Sequence, residues 1–287
     1  MLGAMLGDIV GSVYEFNNTK NYNFKLFSSE SSVTDDSILT AAVAQWAMED
    51  PTFSHSKLEE YLVRFGHEFP NPQGGYGGMF SQWLFYPESM NGYAATQSEP
   101  LRRPYNSWGN GSAMRVSAVG WIFDSLEQTE RVAGLSASIT HNHPEGIKGA
   151  QAVAAAIYLA RTGVDKKDIR DHITQRYGYQ LVYDREELHR TYSWNSSCQG
   201  TVPQAIWAFL ESEDFESALR LAVSLGGDSD TLACITGGIA EAFYKDIPAE
   251  FVQKALAILP VHLTAVLQQL SHTYYKECFD AYIAPLL

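Results

Sequence analysis

Acidic residues flanked by hydroxyls stand at two places in the chain, Thr34-Asp35-Asp36-Ser37 and Gly226-Gly227-Asp228-Ser229-Asp230-Thr231. Carboxylate and hydroxyl oxygens are the donors hard divalent cations take, so such clusters select Mg²⁺, Mn²⁺ or Ca²⁺ over zinc. Asp228 and Asp230 are two residues apart. On a regular helix they would diverge by roughly 200° and could not share one ion. They must lie in a turn. Gly226 and Gly227 supply it by tolerating the left-handed backbone that ends a helix through Leu219, Ala222 and Leu225. Asp230 can then cap a following helix with Leu232, Ile235, Ile239 and Phe243 at helical spacing. Either cluster alone could be no more than acids at a helix start, stabilised by about 0.3–1 kcal/mol in the helix dipole. Two in one chain point further, because carboxylates brought together raise one another's pKa values unless a cation neutralises them.

Three other stretches carry chemistry. The loop Pro70-Asn71-Pro72-Gln73-Gly74-Gly75-Tyr76-Gly77-Gly78 holds four glycines around one tyrosine. Gly75, Tyr76, Gly77 and Gly78 would let backbone amides come close to a phosphate or ribose. Ser107, Trp108, Gly109, Asn110 and Gly111 run directly into an expected helix start, which is the geometry of an anion site. The last glycine of a dinucleotide fingerprint is missing and no strand precedes, so that fold is rejected. In Thr140-His141-Asn142-His143-Pro144-Glu145-Gly146 the paired histidines lack a third nitrogen or sulfur ligand at zinc spacing. A helix start at Pro144 explains the segment, and His141 remains available to bond a ribose or phosphate oxygen. Finally, Gly7 to Phe16 reads as a short buried helix with Asp8 and Glu15 two turns apart on one face.

The elements that must position these residues are helical. Apolar periodicity predicts helices near 34–49, 55–69, 111–126, 129–140, 146–162, 165–176, 201–212, 214–225, 230–244, 248–258 and 261–274, and irregular chain over 15–33, 70–78, 86–110 and 178–200. Strand-like alternation is scarce, so the fold class is all-α, and 287 residues suit one large domain, 1–287. A net charge of −13 without a basic run excludes a phosphate-backbone binder, so no nucleic-acid partner is expected. An anionic ligand would have to be held by metal ions, helix N-termini and backbone amides. Cys198, Cys234 and Cys278 are widely spaced with no CxxC pair, which fits a reducing, cytoplasmic compartment. No signal peptide or membrane-length apolar run is read from the sequence.

Taken in order, Gly7-Asp8, Gly11 and Glu15, then Thr34-Asp35-Asp36-Ser37, Gly109-Asn110-Gly111-Ser112-Ala113-Met114-Arg115, Thr140-His141 and Gly227-Asp228-Ser229-Asp230-Thr231 resemble the ADP-ribosylglycohydrolase family. The resemblance implies a compact, orthogonal helical bundle with a binuclear Mg²⁺ centre, Mn²⁺ being the alternative. It implies hydrolysis of the N- or O-glycosidic bond joining ADP-ribose to a modified protein or other conjugate, by a monomer. By the same resemblance Thr34, Asp35, Asp36, Asp228, Asp230 and Thr231 would bind metal, and Glu15, Asp35 or Asp36 would act as base. Gly75 to Gly78, Ser107 to Gly111 and His141 would hold pyrophosphate and riboses. The stretch 86–106 departs from the family pattern, so the ring against the adenine is not carried over; Tyr105 and Trp108 are the candidates in this sequence. A non-catalytic ADP-ribose binder of the same fold and a Mg²⁺-dependent nucleotide phosphohydrolase are the competing readings.

Overall fold

The computed structural model describes residues 1–90 and 102–274. Cys278 and part of the irregular stretch expected over 86–110 lie outside them. No strand occurs among the described residues; the fold is all-α, with an isolated bridge between Gly109 and Ser197. In chain order the first helices are α1 (Leu2–Gly11), α2 (Asp35–Glu49), α3 (His55–Glu68), α4 (Gly78–Phe85) and α5 (Pro87–Met90). Then follow α6 (Gly111–Met114), α7 (Val119–Ile122), α8 (Leu126–Ser138), α9 (Pro144–Arg161), α10 (Lys166–Tyr177) and α11 (Arg185–Thr191). The set closes with α12 (Cys198–Glu211), α13 (Phe215–Ser224), α14 (Ser229–Tyr244), α15 (Ala249–Ile258) and α16 (Val261–Tyr274).

The axis of the molecule is α14, buried from Ser229 to Ala242 and surrounded by α1, α9, α12 and α13. Its closest neighbour is α1, and the sequence explains how. Gly3, Gly7 and Gly11 recur every four residues and so form one ridge. A Cβ on Gly7 would stand 1.9 Å from the carbonyl oxygen of Ala233, and one on Gly3 2.3 Å from that of Gly237. The two backbones touch where side chains would normally separate them. Buried Glu241 on α14 completes the pairing by accepting from the backbone N–H of Gly3 at 2.9 Å, one of the donors a helix start leaves without an internal partner.

Short polar side chains start most of the surrounding helices. Ser54, Ser125, Asp165, Ser197 and Asp214 each accept from a first-turn N–H of α3, α8, α10, α12 and α13. In α13 Ser217 returns the bond, closing a capping box.

The structure corrects the sequence reading at several places. Asp230 does not cap α14: the N-cap is Asp228, without a side-chain cap bond, and Asp230 lies within the first turn. The helix expected over 111–126 is two short turns, α6 and α7, because Arg115 leaves helical backbone (φ −88°, ψ 0°) and turns its guanidinium to Ser136 and Thr140. The glycine loop ends in a helix, α4, which buries Phe80, Trp83 and Leu84. The irregular stretch over 178–200 contains α11, capped by Asp184. The helix expected over Gly7–Phe16 stops at Gly11, so Glu15 lies in the turn beyond it and does not share a helical face with Asp8.

Candidate functional site

The first acidic cluster is organised from a distance. Asp8, fully buried on α1, accepts from the N–H of Thr34 at 3.0 Å, from its hydroxyl at 2.7 Å, and from the N–H of Ser37 at 3.1 Å. The Ser37 hydroxyl donates to it as well. A carboxylate from another helix thus takes over donors at the start of α2, and Asp35 and Asp36 are released from capping. Thr34 is occupied in this network, its hydroxyl also accepting from the N–H of Asp36 at 3.2 Å. It is buried behind the acids and does not line the cleft described below.

The second cluster is delivered by a turn that only glycine makes cheaply. Gly226 (φ 75°) and Gly227 (φ 76°) are consecutive left-handed residues after α13. Asn18 clamps the turn, accepting from the N–H of Gly227 and donating to its carbonyl, both at 2.8 Å, and it donates to the carbonyl of Glu15 at 2.9 Å. One amide side chain therefore ties the Glu15 turn to the Asp228 turn. Asp228 is further fixed by the side-chain amide of Asn110, which donates to Oδ2 at 2.7 Å.

Glu15, Asp228 and Asp230 bring one carboxylate oxygen each within 4.8 Å of one another. Thr231 Oγ1 lies 3.5 Å from Asp36 Oδ1, which joins the two clusters. Glu15 Oε2, Asp36 Oδ2 and Asp230 Oδ1 are buried without a hydrogen-bond partner. Burial first, and then mutual repulsion, pushes Asp35, Asp36 and Asp230 well above the usual carboxylate range. For the same reasons Glu15 is raised to about 7, while burial alone lifts Asp8 to about 6 against its hydrogen bonds. Buried oxygens that repel one another and lack donors are what a cation site requires before its cation arrives.

These acids line a cleft of about 440 Å³. Asp35, Asp36, Asp228, Asp230, Thr231 and Glu15 are in its wall, as are Gly75 to Gly78, Ser107, Gly109, Asn110, Gly111 and His141. Gly74 presses on Glu15: a Cβ there would meet Oε2 at 2.4 Å, in a backbone already left-handed at φ 78°. Tyr105 also lines the cleft, whereas Trp108 does not; its ring stands edge-on to His143 at 5.3 Å and is half exposed. His141 is buried, with Nδ1 2.7 Å from the Thr140 hydroxyl, and burial together with Arg115 holds it well below its ordinary pKa. Arg115 also lines the cleft, and burial lowers it to about 10.

Sequence reasoning gave no role to Asp8, Phe16, Arg115 or Trp194. Phe16 and Trp194 both line the cleft, and their rings stack at 5.5 Å with planes 19° apart. Phe16 is largely exposed and Trp194 half exposed, and no periodicity marks either, since each belongs to an irregular stretch. Asp8 carried a signal, an acid on an otherwise apolar helix, which a buried hydrogen-bond hub explains.

Comparison with known proteins identifies the family and the fold. The family model described as ADP-ribosylglycohydrolase matches residues 1–282. The ADP-ribosylhydrolase ARH3 of Mus musculus is 28% identical over an alignment covering 96% of this chain and 91% of that protein. The ADP-ribosylarginine hydrolase Tri1 of Pseudomonas putida (strain GB-1) is 25% identical, with 88% and 72% covered. Among solved structures, one described as an ADP-ribosylglycohydrolase-related protein complex shares the fold, with a TM-score of 0.68 at 22% identity over 94% of this chain and 96% of that one. The chain belongs to the ADP-ribosylglycohydrolase family, a family of hydrolases.

Proposed function

We propose that this cleft binds ADP-ribose attached to an acceptor and hydrolyses the glycosidic bond at the anomeric carbon. The observation that carries the reading is the set of buried, partnerless carboxylate oxygens of Glu15, Asp36 and Asp230 in the wall of a glycine-lined cleft. An all-oxygen set of this kind fits two Mg²⁺ ions, or Mn²⁺, held by Asp35, Asp36, Asp228, Asp230 and Thr231. When bound, such ions fix ribose hydroxyls and lower the pKa of a coordinated water.

The chain's own groups supply the rest. A protein of net charge −13 accepts a pyrophosphate only where local donors oppose that field. The N–H groups of Tyr76, Gly77, Gly78 and Gly111, in the cleft wall, can do so, whereas those of Gly75, Gly109 and Asn110 already bond the Pro72 carbonyl, the Ser107 hydroxyl and the Ser196 carbonyl. Cleavage passes through an oxocarbenium-like state, so a general base must take a proton from water. Glu15, half-buried in the cleft wall with Oε2 free of any hydrogen-bond partner, is the group this reading assigns that role, with Asp35 and Asp36 left to the cations. Its neighbour Phe16 and Trp194 flank the opening through which an acceptor would leave.

The test is Mg²⁺-dependent release of free ADP-ribose from peptides modified at arginine, serine or glutamate, and from poly(ADP-ribose), alongside Asp228→Asn and Glu15→Gln. Release from at least one linkage, abolished by chelation and by Asp228→Asn, is the expected result. Glu15→Gln is expected to bind ADP-ribose and lose turnover. AMP or phosphate as the product would replace the reading with a phosphohydrolase.

A further inference from the structure

Three segments that build the cleft meet outside it, at one ammonium group. Lys20 Nζ donates to the carbonyl of His189 at 2.8 Å, to that of Tyr192 at 2.9 Å, and to that of Leu225. An ammonium has three N–H donors and no acceptor, so all three are spent on backbone. The acceptors belong to helix ends: His189 lies in the last turn of α11, and Tyr192 and Leu225 are the C-caps of α11 and α13. Such carbonyls lack partners inside their helices, and a lysine is a natural donor to them. His189 returns the bond, its Nε2 donating to the Lys20 carbonyl at 2.8 Å.

Each segment leads within a few residues to a group in the cleft wall. From Leu225 the chain enters the Gly226-Gly227 turn and reaches Asp228. Lys20 lies along that turn, since a Cβ on Gly226 would stand 3.5 Å from both its Cε and its Nζ. From Tyr192 the chain passes Ser193 to Trp194. This segment bears on the same turn: a Cβ on Gly227 would meet the Tyr192 ring at 2.8 Å and the Ser193 carbonyl oxygen at 3.0 Å. Lys20's own segment carries Glu15, Phe16 and the Asn18 clamp. Lys20 itself does not line the cleft. It faces a second cavity of about 550 Å³, whose wall also includes Tyr22, Arg185, His189, Trp207 and Leu225.

We propose that Lys20 is a positioning residue: its ammonium, gripping three carbonyls, sets the Asp228 turn against the Glu15 and Trp194 side of the cleft. It acts through the backbone it holds. Without the ammonium, three carbonyl oxygens gathered around one point would face one another with no donor between them, and the segments carrying Asp228 and Trp194 would spread. The cavity beside Lys20 leaves those carbonyls within reach of an amine from solvent once the side chain is cut back. The cation-binding half of the proposal rests on the metal reading of the site, whereas the positioning of Trp194 does not.

The experiment compares Lys20→Met, which keeps the stem and loses the donors, with Lys20→Ala, which opens room for n-propylammonium to replace the missing carbons and ammonium. The first readout is the indole ¹⁵N–¹H signal of Trp194 in metal-free protein, assigned by its loss in Trp194→Phe. It should move in both variants and return in Lys20→Ala with n-propylammonium, but not with tetramethylammonium, which has the charge and no N–H. The second is Mg²⁺ affinity by calorimetry. It should fall about ten-fold in both variants, the worth of one hydrogen bond to a charged group, and follow the same rescue. An unmoved Trp194 signal and unchanged Mg²⁺ affinity in either folded variant overturn the proposal, whatever happens to thermal stability. Equal rescue by tetramethylammonium overturns the role of the three donors. If neither variant folds, Lys20 is a stability residue and the proposal falls. Failure of the wild type to bind Mg²⁺ would remove the metal reading, while the Trp194 signal and its rescue would still decide the positioning.

Discussion

Chelating the divalent cation and raising the pH should turn the acidic cluster from a ligand set into a destabilising charge. Ordinary aspartates in the unfolded chain titrate near pH 4, whereas every carboxylate of this cluster is raised in the folded protein. Between those two ranges the native state holds more protons than the unfolded one, so stability must fall as pH rises. Asp8 sets a lower bound. It is fully buried, and its rise from 3.8 to about 6 corresponds to roughly 3 kcal/mol at about 1.4 kcal/mol per pKa unit. That penalty is absent below pH 3.8, grows to about pH 6 and is constant above. Asp35, Asp36 and Asp230 add to it in the same direction and, because they repel one another, do not add as independent sites. A cation at 100 times its Kd would contribute about 2.7 kcal/mol and would remove the repulsive part of the slope while leaving the Asp8 part. Urea unfolding between about pH 5 and 8, with chelator and with Mg²⁺, measures both slopes. Chelated protein whose stability is flat or rises across that window would refute the reasoning.

Three further outcomes follow from the same geometry. Asp230→Asn removes one of the repelling charges, so it should stabilise the chelated protein at neutral pH by about 1–3 kcal/mol and abolish the extra stability given by Mg²⁺, both read by thermal unfolding. Gly7→Ala gains about 1 kcal/mol of helix propensity but forces a methyl against backbone at 1.9 Å, so urea unfolding should show a net loss of about 2 kcal/mol. Gly238→Ala on the facing helix, where the nearest atoms stand at 3.4 Å, should be neutral or stabilising, and equal losses in the two variants would contradict the close-approach account. Asn18→Ala unties the Glu15 and Gly227 turns and should weaken Mg²⁺ binding by calorimetry more than ten-fold for about 1–2 kcal/mol of stability, whereas unchanged affinity would show the clamp to be dispensable.

How much of this was legible in the sequence depends on whether the signal was local. Helices α2, α3 and α13 announced themselves through apolar periodicity and short polar caps, α9 and α14 through periodicity, and the Gly226-Gly227 turn through a requirement only glycine meets. The two clusters were readable as a pair because their chemistry repeats. What failed was long-range. Nothing near Asp8 says that it caps a helix 26 residues away, and nothing near Arg115 says that its side chain must leave the helix to reach Thr140. Glu15 was singled out for the wrong local reason, a shared helical face, and reaches the cleft because the helix stops short. Trp108 and Thr34 belong to motifs whose neighbours line the cleft while they do not, since a loop alternates what it points inward.

The glycine ridge of α1 has a mechanical meaning. With backbone set directly on backbone at Gly3, Gly7 and Gly11, the pair α1 and α14 has no clearance: neither helix can slide or roll without a carbonyl striking its neighbour. Asp8 and Asp230 ride on that pair, so one side of the site is a datum surface, fixed as rigidly as the core itself. The opposite side begins where the ridge ends, and there Glu15 and Phe16 are held by the Asn18 amide, the Gly74 backbone and one stacked ring. The cleft is therefore built asymmetrically, with backbone set on backbone along one wall and side-chain contacts alone holding the other.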